Sequence, residues 1–200
     1  MDVSLEAIGR AIEGEVDLSD IAGRAGVPQW FTLWPGEHYV MLGAMMLTLR
    51  PRVVVEIGTD AGLSALAMKK YLPGEGRIVT FDIRGWKTID YTVLNEGDFA
   101  DGRLEQRLED LSDWAVIEKN RELLEAAEFL FIDAPKDGVF EYRLMEHFGR
   151  LSFARRPIVW FDDTKLWSML RFWRELAYPK LDLTSFGGWS GSGVVEMVKG

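Results

Sequence analysis

The chain has 200 residues, no cysteine and a formal charge of −9. At roughly 150 residues per domain it holds one substantial domain. Its 48% hydrophobic and 28% charged residues exclude a mainly disordered state. Without cysteine there are no disulfides, thiolate metal sites or thiol nucleophiles, and the acidic balance argues against nucleic-acid binding.

No apolar run reaches the ~20 residues of a membrane span. The longest, residues 39–49, is too short and is broken by Gly43. The start, Met1-Asp2-Val3-Ser4, lacks the basic and apolar regions of a signal peptide. The expectation is a soluble cytoplasmic protein with no membrane partner. Eight tryptophans imply a well-filled core or an aromatic-lined pocket.

Residues 1–35 read as a helical arm laid over a larger body, residues 36–200. Leu5, Ile8 and Ile12 predict a short amphipathic helix over 4–13, with Ser4 as its cap. Residues 16–35 are turn-rich and end in Trp30-Phe31-Thr32-Leu33-Trp34-Pro35. Tyr39, Leu42, Met46 and Leu49 share one face of a helix over 37–50, which Pro51 stops.

From residue 52, strands alternate with helices. Apolar strands are predicted at 53–57, 77–82, 128–133 and 157–162, and a weakly alternating one at 103–108. Helices are predicted at 63–72, 112–127, 138–149 and 164–178, with Ser112 capping the second. Residues 181–186 and 193–198 flank a Gly/Ser-rich turn and read as a closing hairpin. The predicted fold class is α/β: a doubly wound, mainly parallel seven-stranded sheet with an antiparallel C-terminal edge hairpin. Ligands of such sheets sit at the carboxyl ends of the strands, where Glu56, Asp82, Asp133, Asp162 and Asp163 fall.

The first motif is Glu56-Ile57-Gly58-Thr59-Asp60-Ala61-Gly62-Leu63-Ser64. A glycine turn between strand and helix lets the backbone approach a ligand and leaves helix N–H groups aimed at it. A dinucleotide turn would read Gly-x-Gly-x-x-Gly, but Glu56 holds the first glycine position, and a carboxylate there repels pyrophosphate. It suits an ammonium or other cationic end. Asp82 closes the second strand and is placed to accept ribose hydroxyls. Together they select a positively charged nucleoside without pyrophosphate, and S-adenosyl-L-methionine (SAM) has those features.

Phe131-Ile132-Asp133-Ala134-Pro135-Lys136-Asp137 and Val159-Trp160-Phe161-Asp162-Asp163-Thr164-Lys165 end two further strands. If those strands are neighbours, Asp133, Asp162 and Asp163 converge, and three carboxylates need a compensating cation. Oxygen donors suit Mg²⁺, Mn²⁺ or Ca²⁺. The plainer alternative has Asp162 capping a helix, Asp163 solvated, and Lys136 paired with Asp137 or Glu141. Neither His38 nor His147 lies near these motifs in sequence, and His147 reads as a surface residue. Glu122, Glu125 and Glu128 read as a solvated helix face.

These three motifs resemble those of the catechol and caffeoyl-CoA O-methyltransferases, and more closely their small bacterial relatives among class I SAM-dependent methyltransferases. The resemblance covers roughly residues 36–200. It implies that Glu56, Gly58, Thr59, Asp60, Gly62, Ser64, Asp82, Ile83, Glu109, Asp110 and Asp133 bind the cofactor. Within that set Ser64 would reach the methionine carboxylate, Asp82 would hold the ribose, and the stretch 108–111 would border the adenine. Asp133, Asp162 and Asp163 would bind Mg²⁺ or another divalent cation, and Lys136 with Asp133 would be catalytic, Lys136 as general base. Asp163 departs from the usual asparagine, Asp60 stands where glycine or an aromatic is common, and the segment 84–102 is unusually long.

The implied activity is metal-assisted methyl transfer to a hydroxyl of a small molecule with adjacent oxygens, by a homodimeric enzyme. Trp34, Trp86, Trp167 and Trp189 are candidate walls of an acceptor pocket, while Trp160 reads as core. Three other readings stand beside it. One is a metal-independent methyltransferase of sugar or natural-product hydroxyls, with Asp133 or Asp163 as base. Another is an NAD-dependent dehydrogenase, which Glu56 disfavours. The last is a non-catalytic SAM-binding protein.

Overall fold

The computed structural model describes residues 2–25 and 38–197. Its centre is a seven-stranded sheet, and the alternation of strands and helices explains how it winds. Strands β1 (Val53–Ile57), β2 (Arg77–Asp82), β3 (Leu104–Leu108), β4 (Phe129–Ile132) and β5 (Ile158–Asp162) run parallel. Strands β6 (Lys180–Asp182) and β7 (Ser192–Glu196) close the sheet antiparallel, in the order β3-β2-β1-β4-β5-β7-β6. The expected fold class therefore stands, hairpin included.

Side chains alternate across the sheet, as the period of a strand requires. Val54, Phe129, Phe131, Ile158, Trp160 and Val194 face one layer. That layer contains α1 (Asp2–Ile12), α2 (Ser19–Ala25), α3 (Tyr39–Leu49) and α4 (Leu63–Tyr71). Val55, Ile57, Phe81, Leu130, Ile132, Val159 and Phe161 face the other. There they meet α6 (Trp114–Lys119), α7 (Arg121–Ala126), α8 (Phe140–Gly149) and α9 (Leu170–Glu175). The short α5 (Glu96–Phe99) lies in the long segment before β3 and starts with a reciprocal Asn95–Asp98 capping box. No helix among the described residues is long and apolar enough to cross a membrane.

Several local expectations change for identifiable reasons. Ser4 does not cap α1 but lies inside it, buried. Residues 19–25, expected to be irregular, form α2, and Arg24 pairs with Asp98 at 2.9 Å. Residues 26–35 of the turn-rich stretch, Trp34 included, lie outside the described residues. Ala7, Ala11, Leu18, Ile21 and Ala22 share the core with the sheet, so α1 and α2 pack into the main body. That packing buries α3 nearly all round, where the sequence pattern shows one apolar face.

The single helix expected over 112–127 is two helices, with Asp113 rather than Ser112 as the first N-cap. Asn120 breaks it: the buried amide donates to Glu109 Oε2 and to the Val116 carbonyl and accepts from Arg107. His147 is buried, not a surface residue, because Trp114 lies against it at 5.3 Å and its Nε2 meets the Ser112 carbonyl at 3.1 Å. Trp160 is fully buried, as expected.

Candidate active site

The sheet order reverses direction between β1 and β4. At such a point the connections diverge to opposite faces and leave a crevice beyond the strand ends. Register sets what meets there. Ile57 lies opposite Phe81 and Ile132, and Ile132 lies opposite Phe161. The next residues, Gly58, Asp82, Asp133 and Asp162, therefore stand level along one rim. A cavity of about 600 Å³ opens over the β2, β1 and β4 ends.

Gly58 explains why the two chains approach so closely. Its φ is +100°, and a Cβ there would stand 2.1 Å from the Asp133 carbonyl oxygen. Gly62 has φ +84°, and a Cβ there would run into Leu94. The Asp82 carboxylate fastens the turn: Oδ2 accepts the N–H groups of Thr59 (2.9 Å) and Asp60 (3.2 Å), and Oδ1 that of Arg84 (2.9 Å). Three acceptor positions are thus taken and one lone pair is left for a ligand hydroxyl.

Of the expected cofactor residues, Gly58, Asp60, Asp82, Ile83, Glu109, Asp110 and Asp133 line the cavity. Glu56, Thr59, Gly62 and Ser64 do not line it; they build the turn from behind. Thr59 Oγ1 bonds Thr80 Oγ1 at 2.7 Å. Glu56 is fully buried and receives the Ser64 hydroxyl at 2.5 Å, so neither side chain presents itself to the cavity. Burial pushes the Glu56 carboxyl up to about 7, with Ser64 and Thr80 opposing and the charges of Asp133 and Asp82 adding. Asp60 instead accepts the Tyr91 hydroxyl at 2.7 Å, which ties the long segment after β2 to the turn.

The acidic rim is where the structure brings the remaining motifs together. Lys136 Nζ stands 2.5 Å from both Asp133 Oδ1 and Asp163 Oδ2. His38 Nδ1 stands 3.3 Å from Asp162 Oδ1, and His38, Asp133 and Asp162 offer ligand atoms within 4.8 Å of one another. His38 lies far from these motifs in sequence and reaches the rim from the start of α3. Burial and Asp162 raise the Asp133 carboxyl, against Lys136 and His38. Burial acts to raise Asp162 too, but His38 and Lys136 outweigh it and hold that carboxyl below its ordinary range. Burial acts to lower Lys136, yet Asp133 and Asp163 raise it above the usual lysine value, so it carries its proton.

Leu111, from the stretch expected at the adenine, and Pro135, from the second motif, also line the cavity, as do Arg84, Ser112, Val139, Phe140 and Arg143, which the sequence motifs did not single out. Trp167 and Trp189 are 90% and 78% exposed, on loops joined by the Lys165 N–H bond to the Ser190 carbonyl at 2.8 Å. None of Trp86, Trp167 and Trp189 lines the cavity; Trp86 stacks on Phe99 at 5.3 Å and packs against the core.

A parallel sheet with this strand order, a closing antiparallel hairpin and a glycine turn at the reversal point defines a class I methyltransferase fold. The model of the O-methyltransferase family matches residues 36–168. The chain therefore belongs to the O-methyltransferase family. Among solved structures, a methyltransferase from Geobacter sulfurreducens aligns with 96% of this chain and 97% of its own at 15% identity and a TM-score of 0.65. An O-methyltransferase from Bacillus cereus, in complex with SAH, aligns at 17% identity and TM-score 0.58 over 99% of this chain and 91% of its own. The SAH-bound methyltransferase PaMTH1 from Podospora anserina covers 79% of each chain at 17% identity and TM-score 0.53. Curated proteins give no match.

Proposed function

We propose that the chain transfers the methyl group of SAM to a hydroxyl of a small molecule, assisted by a divalent cation. One observation carries the reading: the family's sheet brings a ligand-sized cavity, three aspartates and Lys136 to one rim. The nucleoside fits between Asp82 and the 109–112 wall, with the sulfonium toward Gly58 and Asp133. Solved structures of the same fold carry SAH, which supports a SAM-type ligand.

Carboxylate oxygens with one imidazole are a donor set that suits Mg²⁺ or Mn²⁺. Asp133, Asp162 and Asp163 would hold the ion, with His38 adjoining. Such an ion would bind two adjacent acceptor oxygens and lower their pKa. The chain's own share is alignment and proton handling. Transfer breaks the carbon–sulfur bond and forms a carbon–oxygen bond, and the hydroxyl proton must leave to the rim. Lys136 is protonated in its present pairing, so it would serve as base only after releasing that proton to solvent, which drawing Asp133 and Asp163 toward a cation would favour by lowering its pKa.

The Lys136 bridge favours a second reading. An ammonium already neutralises Asp133 and Asp163, and His38 faces Asp162. In that metal-independent form Asp133 takes the hydroxyl proton and Lys136 stabilises the alkoxide. Methyl transfer from tritiated SAM to a panel of catechols, phenols and sugars, with EDTA and with Mg²⁺ restored, separates the two. Loss with EDTA and recovery with Mg²⁺ supports the first. Undiminished transfer supports the second. Binding of SAM without transfer to any hydroxyl in the panel counts against both.

A further inference from the structure

We propose that Glu141 and Ser168 are positioning residues that clamp the backbone of Lys136 and so hold its ammonium between Asp133 and Asp163. The proposal rests on the reading that Lys136 works in the site.

Lys136 must turn back within three residues for its side chain to return to Asp133. It does so in the left-handed conformation, φ +60°, which residues with a Cβ rarely adopt. Such a conformation persists only where the surroundings impose it. Here both backbone polar groups of Lys136 are taken, from opposite sides. Glu141 Oε1 accepts its N–H at 3.0 Å, and Ser168 Oγ donates to its carbonyl at 2.6 Å. Glu141 Oε2 accepts the Gly138 N–H at 2.9 Å, so one carboxylate closes the loop at two points.

Asp137 Oδ1 accepts the N–H of Val139, just before α8, and that of Phe140, its first residue, each at 2.8 Å. Glu141, 1% exposed, turns each of its oxygens to a loop N–H, and a buried carboxylate without such partners would be costly. Gly138 completes the seam. A Cβ there would stand 2.4 Å from the Ser168 carbonyl oxygen, so the loop after β4 lies directly against the segment after β5. Asp163, the other carboxylate under the ammonium, also has a positive φ, +59°. Ser168 follows Asp163 by five residues, so the clamp ties the Lys136 loop to the segment that carries Asp163. It also fixes the cavity wall, because Ala134, Pro135, Lys136 and Asp137 line it.

The test reads Lys136 directly and needs no acceptor. The full chain is acetylated with acetic anhydride at one mildly alkaline pH, and the rate at each lysine is followed by mass spectrometry. Lys87 and Lys119 serve as exposed references and Lys69 as a part-buried one. In Ser168→Ala and Glu141→Gln, Lys136 is expected to react about fivefold faster, the factor of one net hydrogen bond, with the three references unchanged. Glu141→Ala is expected to exceed Glu141→Gln, because the amide keeps one acceptor oxygen. Folded variants with Lys136 within about twofold of the parent would overturn the clamp, as would Lys69 accelerating in step with Lys136. If Glu141→Ala does not fold, Ser168→Ala decides. A parallel melting experiment with SAH separates the two ideas: no SAH shift in the parent chain counts against the function, while the acetylation rates still judge the clamp.

Discussion

Replacing Gly58 with alanine attacks the closest approach in the site. The new Cβ would stand 2.1 Å from the Asp133 carbonyl oxygen and 2.8 Å from its carbon. Reaching ordinary contact at 3.4 Å requires that carbonyl to retreat by about 1.3 Å. Asp133 cannot retreat freely, because its N–H bonds the Ile57 carbonyl at 2.9 Å. The φ of +100° adds backbone strain of about 1–3 kcal/mol, and overpacking adds about 1–3 kcal/mol. Urea unfolding is expected to show a loss of about 2–6 kcal/mol. Calorimetry is expected to show SAH binding weakened by about tenfold or more, since the floor of the site moves by more than 1 Å. Gly74→Ala is the control, for a Cβ there meets nothing within 4 Å. A Gly58→Ala chain with the parent's unfolding midpoint and SAH affinity would refute this reasoning.

Three further outcomes follow from the site. The folded chain keeps a proton on Glu56 that the unfolded chain releases above about pH 4.5, so stability falls as pH rises and levels off above about 7, by about 3 kcal/mol in all; Glu56→Gln should lack that fall in denaturation series across this range, and an identical profile would count against it. Lys136→Met removes the ammonium between Asp133 and Asp163, so Mg²⁺ should bind more tightly by calorimetry while methyl transfer drops about 10²-fold or more; unchanged Mg²⁺ affinity would contradict the competition. Trp167→Ala, at a 90% exposed position, should change stability by less than about 0.5 kcal/mol and raise the acceptor KM without altering SAH affinity; an unchanged KM removes Trp167 from the acceptor wall.

The sheet was legible because burial on both faces makes continuous apolar runs: Val53-Val54-Val55, Phe129-Leu130-Phe131 and Ile158-Val159-Trp160 need no partner to be recognised. Strand β3 was fainter, since it is an edge strand with only Leu104 fully buried. Acidic residues at strand ends were legible for the same reason, register carrying Gly58, Asp82, Asp133 and Asp162 to one level. What stayed hidden depends on side chains meeting across the fold. Asn120 ends a helix through bonds to Glu109 and Arg107, His38 reaches Asp162 from another layer, and Glu141 turns from its helix to the Lys136 loop. The motif suggests that Glu56 faces a cationic ligand, whereas β1 buries it and its carboxylate accepts the Ser64 hydroxyl, because the strand's alternation points it behind the turn.

The central claim is that the crevice between Asp82 and Asp133 holds a SAM-type nucleoside. Isothermal titration of SAH into the parent chain and into Asp82→Ala tests it most directly, with NAD as the competing ligand. The account predicts one SAH per chain, no NAD binding, and affinity lowered by about tenfold or more when the Asp82 carboxylate, which fastens Thr59, Asp60 and Arg84, is removed. Heat from NAD and none from SAH, or an Asp82→Ala chain that binds SAH as the parent does, would contradict it.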